Sequence, residues 1–176
     1  MKAFQAAAFG LSRFGAALAA VMIVGMTLHI LYEIVLRTFF STSTFVLDEF
    51  VGYGVAAATF LGLGYALEHR SLIRVGLVIG RLRGRPRRTL EAICALATIW
   101  VVVLLIHYFG STVWRSWSRG RVSSSIAEVP TWIPEGLVLF GMVILLVQLV
   151  AYLLRQFTNE PPPVSIMTAE DLQNDL

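Results

Sequence analysis

The chain has a single cysteine, Cys94, which lies within an apolar run. One thiol cannot form a disulfide within the chain, and this argues against a quinone-linked thiol oxidase. The sequence also lacks a glycine-rich phosphate loop, paired metal-ligand spacing, and a serine or cysteine beside a general base in a recognisable motif. These absences predict a protein that is not an enzyme and that uses no metal or cofactor.

Charged residues are scarce as well. They make up 14% of the 176 residues, whereas a soluble domain has about 25%. Hydrophobic residues make up 57%, and the mean hydropathy is +0.74. A chain of this composition is typical of a membrane protein, so we expect it in a lipid bilayer.

Four long apolar runs follow one another along the chain, each near the ~20 residues that a helix needs to cross the hydrocarbon. A single segment in lipid satisfies its backbone hydrogen bonds within itself only as a helix. The sequence therefore predicts an all-α membrane protein, with residues 1–155 forming one domain of four transmembrane helices. The spans are expected at about residues 14–38, 48–67, 89–117 and 132–155.

The positive charge is distributed unevenly between the two sides of this predicted bundle. Ten of the 14 lysines and arginines fall on the side with the termini and the connection between the second and third spans. The positive-inside rule then places both termini in the cytoplasm. No nucleic-acid-binding module surrounds the basic residues, so we expect no nucleic-acid partner.

Two segments on the cytoplasmic side have distinct patterns. Residues 71–83 are predicted to form an interfacial amphipathic helix between the second and third spans, with Arg70, Arg74 and Arg81 toward the inner-leaflet phospholipid headgroups. Residues 156–176 carry four acids and no cation. Such a segment has no core to join, so a disordered acidic cytoplasmic tail is expected.

Charged residues at the outer ends of the first two spans are candidate contacts with a partner subunit. Glu33 and Arg37 are four residues apart and therefore share a helix face, where they can pair. Asp48 and Glu49 follow just across the first loop. The alternative is that Glu33 and Arg37 form an ion pair at the membrane interface without a partner.

Small residues recur every fourth position along the second span. Such a stripe permits close contact between helices, which lipid tails do not require. The spacing alone does not decide whether the stripe faces the bundle or a partner subunit. Its members are Gly54, Ala58, Gly62 and Ala66.

Three of the four cations on the outer side lie close together at the second outer loop, against the overall charge bias: Arg115, Arg119 and Arg121. They fit either lipid phosphates or an acidic external protein that docks there. We therefore regard them as a candidate docking site for an external protein.

Two histidines, His29 and His107, lie at similar depth in the first and third spans. They suggest an alternative function, a membrane anchor of a quinone-linked oxidoreductase that holds haem b between these two ligands. The simpler interpretation is that each neutral imidazole hydrogen-bonds a neighbouring carbonyl or hydroxyl, such as that of Thr27 or Thr112.

Several short motifs occur in a characteristic order. LDEF, with Asp48 and Glu49, opens the second span; FLGLGYAL, EHRSLIRV and an arginine cluster follow; and EVPTWIP introduces the last span. From about Phe14 to Arg155, this order resembles the small membrane subunit of tripartite ATP-independent periplasmic (TRAP) transporters. Glu49, Gly62 and Arg74 match the family's motif positions, whereas Leu72 and Gly76 replace its histidine and aspartate.

The resemblance implies a small, non-catalytic scaffold subunit in the bacterial inner membrane. It would brace the large multi-span subunit of a sodium-coupled secondary transporter that imports organic acids. A periplasmic substrate-binding protein would deliver the substrate. In this setting, the charged residues and the small-residue stripe described above are expected to contact the large subunit, and the three outer arginines become the candidate docking site for the binding protein.

Overall fold

The computed structural model describes residues 2–69 and 85–158, in which every regular element is an α-helix. The helices are α1 (Lys2–Phe40), α2 (Leu47–Glu68), α3 (Arg85–Ser118) and α4 (Trp132–Thr158). All four are long and apolar enough to cross a membrane. For these residues, the prediction of an all-α protein with four such helices is therefore confirmed. The predicted interfacial helix at 71–83, with Arg70, Arg74 and Arg81, and the tail beyond Thr158 lie outside the described residues.

Helix α1 is longer than the predicted first span, because it already begins at Lys2. Its first turns are not isolated: Ala8 and Ser12 are buried, and the ring of Phe9 lies 6.1 Å from that of His69. Contacts with the end of α2 thus support the helix before the apolar run begins. The 39 residues of α1 extend about 58 Å, well beyond the ~30 Å of a hydrocarbon core.

Two of the helices are followed by a residue with a left-handed backbone. At the end of α3, Gly120 has a φ of 57°, and the N–H of Arg121 donates to the carbonyl oxygen of Ser116 at 3.0 Å. This is a Schellman ending, for which glycine is favoured because the left-handed backbone requires no space for a Cβ. At the end of α1, Ser41 also has a left-handed backbone, with a φ of 47°, but the N–H of Thr42 donates one residue further back, to the carbonyl oxygen of Leu36 at 3.4 Å.

The two described loops, residues 41–46 and 119–131, lie at one end of the bundle, which we call the loop end. The opposite end, with Lys2, Glu68 and Thr158, is called the terminal end. Helix α1 packs against α2 and α4, α2 packs against α4, and α3 packs chiefly against α4. Helix α4 is therefore central, and α3 is attached to one side of the bundle.

Two apolar clusters hold these helices together. The first joins α1, α2 and α4 around Leu61 and Ile144, both fully buried. The second lies nearer the terminal end and joins Val102 of α3 to Leu67 and Leu149. Because α3 contributes only to the second cluster, most of its surface stays outside the bundle.

Helix α2 approaches its neighbours most closely where they carry glycine. A Cβ built on Gly141 of α4 would lie 2.6 Å from the carbonyl carbon of Phe60, and one built on Gly15 of α1 would lie 2.9 Å from the carbonyl oxygen of Leu61. Real Cβ atoms do not come this near to backbone atoms. Glycine on the neighbouring helices, as well as small residues on α2, thus permits the packing.

Candidate functional site

The Glu33 carboxylate lies at the loop end and is 1% exposed. Its Oε1 accepts hydrogen bonds from Arg37 Nε at 2.9 Å and from the Ser43 hydroxyl. Its Oε2 accepts from the Thr44 hydroxyl at 2.7 Å and from the Thr44 N–H at 3.1 Å. Glu33 therefore fixes the first loop onto α1, and its hydrogen-bonding capacity is used within the chain.

Of the four charged residues predicted to meet a partner, Arg37 and Asp48 are exposed. Glu49 instead faces the other loop: its Oε1 accepts from the Tyr53 hydroxyl at 2.8 Å, and the Ser123 and Ser125 hydroxyls lie beside its carboxylate. Its buried Oε2 has no partner that meets hydrogen-bond geometry among the described residues. Glu49 thus lies between α2 and the loop before α4.

The small-residue stripe of α2 divides into two parts. Gly54 and Ala58 are buried inside the chain, and a Cβ on Gly54 would collide with the side chain of Met26 in α1. Gly62 has no neighbouring atom within 4 Å of its Cβ position, and Ala66 is half-buried. The first two residues therefore serve packing within the chain, while the last two leave room for another helix.

A buried polar network at the terminal end joins α1, α2 and α4. Glu68 Oε1 accepts from Arg155 Nη1 at 2.6 Å, and Glu68 Oε2 accepts from Gln148 Nε2 at 2.5 Å. The Ser12 hydroxyl donates to Gln148 Oε1 at 2.9 Å. Ser12, Glu68 and Gln148 are all buried, at 0%, 6% and 2% exposure. The network therefore ties three helices together in a region where water is excluded.

This network was not predicted from the sequence. Glu68 stands at the start of the motif EHRSLIRV, and Arg155 is one of the ten cations on the side with the termini. The available signal was Gln148, a strongly polar side chain within the last apolar run, because such a group in a membrane helix requires a partner. The identity of that partner does not follow from spacing, since Glu68 and Gln148 are 80 residues apart.

The structure does not bring the two histidines together. His29 lies against Phe50 of α2, with ring centroids 6.0 Å apart, beside an apolar groove of 360 Å³ between α1, α2 and α4. His107 is exposed on α3, which packs chiefly against α4. A haem with two axial histidines needs both rings to face one iron. The described residues thus give no support to the haem alternative.

The simpler interpretation of the histidines is not observed either. The hydroxyls of Thr27 and Thr112 donate to the carbonyl oxygens of Ile23 and Tyr108, and neither bonds to an imidazole. His29 Nε2 is buried and has no hydrogen-bond partner among the described residues. Both imidazoles thus remain without the neighbour that the sequence suggested.

The three outer arginines lie together near the end of α3. Arg115 is in its last turn, Arg119 and Arg121 follow in the loop, and all three are exposed. The Arg115 guanidinium bonds to the Ser111 carbonyl oxygen at 3.3 Å, so part of its capacity is used locally. The nearby rings of Trp117 and Trp132 meet edge to face at 4.5 Å. These indoles suit a membrane interface, so the arginines lie where an external partner or lipid phosphate is within reach.

Two similarities to known proteins cover most of the chain. Residues 26–159 match the family model described as tripartite ATP-independent periplasmic transporters, DctQ component. The chain is also 24% identical over 136 residues to the ectoine TRAP transporter small permease protein TeaB of Halomonas elongata. That alignment covers 75% of this chain and 70% of TeaB.

Proposed function

Because the chain belongs to the DctQ component family of tripartite ATP-independent periplasmic (TRAP) transporters, we propose that it braces a large transport subunit and carries no substrate itself. It is a TRAP transporter small permease subunit. The transporter would be a sodium-coupled importer of organic acids that receives its substrate from a periplasmic binding protein. The chain would lie in the bacterial inner membrane with both termini in the cytoplasm.

The distribution of charge carries the scaffold proposal. In the described residues, the buried carboxylates of Glu33 and Glu68 are held by arginines of the same chain near the ends of the helices. Those residues contain no group of three or more histidine, cysteine, aspartate or glutamate side chains able to hold a metal ion. A membrane protein that moves ions by itself usually presents ionisable groups along its path. This arrangement fits a supporting role better than a transport path.

Reconstitution tests this function directly. Vesicles with the large subunit, this chain and the binding protein are expected to accumulate a labelled organic acid when an inward sodium gradient is imposed. Vesicles with this chain alone should show no uptake above empty vesicles. Uptake by this chain alone would contradict the scaffold role, and equal uptake without a sodium gradient would contradict the coupling. A cysteine added near either terminus should react with an impermeant maleimide only from the cytoplasmic side.

The α2 surface around Gly62 and Ala66, with Arg37 and Asp48 at the loop end, is the proposed contact with the large subunit. We expect Gly62→Leu to reduce the amount of large subunit recovered with a tagged chain by about tenfold, because the leucine side chain would prevent another helix from approaching closely. The chain itself should fold normally, because no atom lies within 4 Å of the Gly62 Cβ position. Quantitative immunoblotting of the purified complex measures the effect.

Gly10→Leu is the matched control, because Gly10 also has no neighbour within 4 Å of its Cβ position and belongs to no proposed contact. It should leave the recovery of the large subunit unchanged. Equal recovery with Gly62→Leu and with the control would show that this α2 surface does not contact the partner.

The exposed arginines near the end of α3 are the proposed docking site for the binding protein. Reversing Arg119 and Arg121 to glutamate should weaken binding about tenfold at low salt, because exposed charges mainly affect association and are screened by ions. Titration of the reconstituted complex with the binding protein at two ionic strengths measures this effect. The same loss in high salt, or none in low salt, would argue against a charged contact with the binding protein.

A further inference from the structure

Helix α3 exposes most of its surface to the outside of the bundle. It contacts α4 through a narrow strip of side chains in which Ala95, Val102 and Ser116 are buried. In the most apolar stretch of α3, only 11% of the residues are buried within the chain, against 44% in the corresponding stretch of α4. The remaining sides of α3 must therefore face lipid or another protein.

One of these sides follows a seven-residue repeat. Seven residues make nearly two helical turns, so residues at this spacing share one face, and sustained repeats of this kind are typical of helices that pack against another helix. The exposed fractions reach 67% for Trp100 and 70% for Trp114. We call this side the His107 stripe; it consists of Ile93, Trp100, His107 and Trp114 with the intervening Val103 and Gly110.

His107 makes an all-lipid environment unfavourable for the stripe. It lies 15 residues after Ala92 and 11 before Ser118, the ends of the apolar part of α3, and hence ~16 Å or more along the axis from either. An imidazole at that depth loses its hydration, and hydrocarbon offers no hydrogen bond in return. Its ring meets Tyr108 edge-on at 5.9 Å between centroids, a contact that gives the ring nitrogens no hydrogen bond.

Three other polar side chains in the apolar part of α3 already have a hydrogen-bond acceptor within the helix. The hydroxyls of Thr98, Ser111 and Thr112 donate to carbonyl oxygens one turn earlier, at 2.7 to 3.1 Å. His107 makes no hydrogen bond to the described residues, although it is exposed on the same helix. These three hydroxyls are thus satisfied within α3, whereas the exposed imidazole of His107 is left for a partner.

We propose that the His107 stripe packs against a transmembrane helix of the large transport subunit, which presents a hydrogen-bonding group to the imidazole. The inference rests on the proposed function, since that subunit is the membrane partner there. Gly110 supports it, because a missing side chain between His107 and Trp114 allows a second helix to approach closely. Lipid tails would require neither the glycine nor the imidazole.

Gly110→Leu tests the close approach. Its Cβ position has no neighbouring atom within 4 Å, so the substitution leaves the fold of this chain intact. We expect it to lower recovery of the large subunit with the tagged chain about tenfold, because the leucine side chain would hold a second helix away from α3. Val101→Phe, which adds similar bulk at an exposed position about 100° around the helix from Trp100, should leave recovery unchanged.

A second pair of variants tests the hydrogen bond. His107→Phe keeps a planar ring without the nitrogens and should lower recovery several-fold, whereas His107→Gln restores a polar group and should recover most of it. A photoreactive residue at Val103 should crosslink to the large subunit, whereas the same residue at Val101, on another side of the helix, should not.

The outcomes separate this inference from the function on which it rests. If the wild-type chain recovers the large subunit but Gly110→Leu and His107→Phe do so equally well, the stripe faces lipid and the inference is wrong. Crosslinking from Val101 and not from Val103 would also overturn it. If the wild-type chain recovers no large subunit, the proposed function fails together with the inference.

Discussion

Replacing Gly141 by alanine is expected to lower the unfolding free energy of this chain by about 3 kcal/mol, the upper part of the usual range for overpacking. The added methyl group would lie 2.6 Å from the Phe60 carbonyl carbon and 2.8 Å from the Leu61 nitrogen. Both are backbone atoms of a helix, so no side-chain rotation removes the collision. Helices α2 and α4 must separate, which would also loosen the cluster around Leu61 and Ile144.

The matched control for this prediction is Gly136→Ala in the same helix. Nothing lies within 4 Å of the Gly136 Cβ position, so alanine there should be neutral or stabilising by up to ~1 kcal/mol from its higher helix propensity. Unfolding of the purified variants in mixed detergent micelles, followed by circular dichroism, measures both free energies. Similar values for the two variants would show that α2 and α4 are not in such close contact.

Removing the arginine from the buried network should have a comparably large effect. Arg155→Met leaves the Glu68 carboxylate, whose side chain is 1% exposed, without its cation. Breaking a buried ion pair by removing one partner costs about 3 to 5 kcal/mol, because the remaining charge is uncompensated. Replacing Glu68 and Arg155 together by methionine should cost less than Arg155→Met alone, since no buried charge is left.

Arg37→Met provides the comparison for this second prediction. Arg37 also pairs with a buried glutamate, but its own side chain is 61% exposed, and Ser43 and Thr44 continue to donate to Glu33 after the substitution. We expect a loss below ~1 kcal/mol, as for exposed ion pairs. The same unfolding assay measures the wild-type chain, Arg155→Met, the double variant and Arg37→Met. A double variant less stable than Arg155→Met would contradict the explanation by an uncompensated charge.

The number and type of helices could be predicted because each apolar run must satisfy its own backbone in lipid. The contacts between helices depend on residues far apart in sequence, such as Glu68 and Arg155, which are 87 residues apart. A glycine stripe shows that a close contact exists and does not identify the neighbour. For this reason Gly54 was recognised as a contact residue, while Gly141, which meets the other side of α2, was not.

In the candidate site, too, contacts within one helix could be predicted from the sequence, whereas contacts between separate segments could not. The pairing of Glu33 with Arg37 follows from their spacing on one helix. The burial of that pair beneath the first loop does not, because it depends on Ser43 and Thr44 folding back across the end of α1. Two histidines at similar depth suggested a shared ligand, but depth gives no information on which side of each helix faces the other.

The hydrogen bonds between Glu33 and the first loop also affect how the chain enters the membrane during synthesis. When only α1 has emerged from the ribosome, Arg37 is the available partner of the Glu33 carboxylate. Thr44, which lies 11 residues after Glu33, has not yet reached it. An acid lacking most of its donors is poorly tolerated inside lipid. The first two helices should consequently leave the translocon as a pair, with the turn between them already closed.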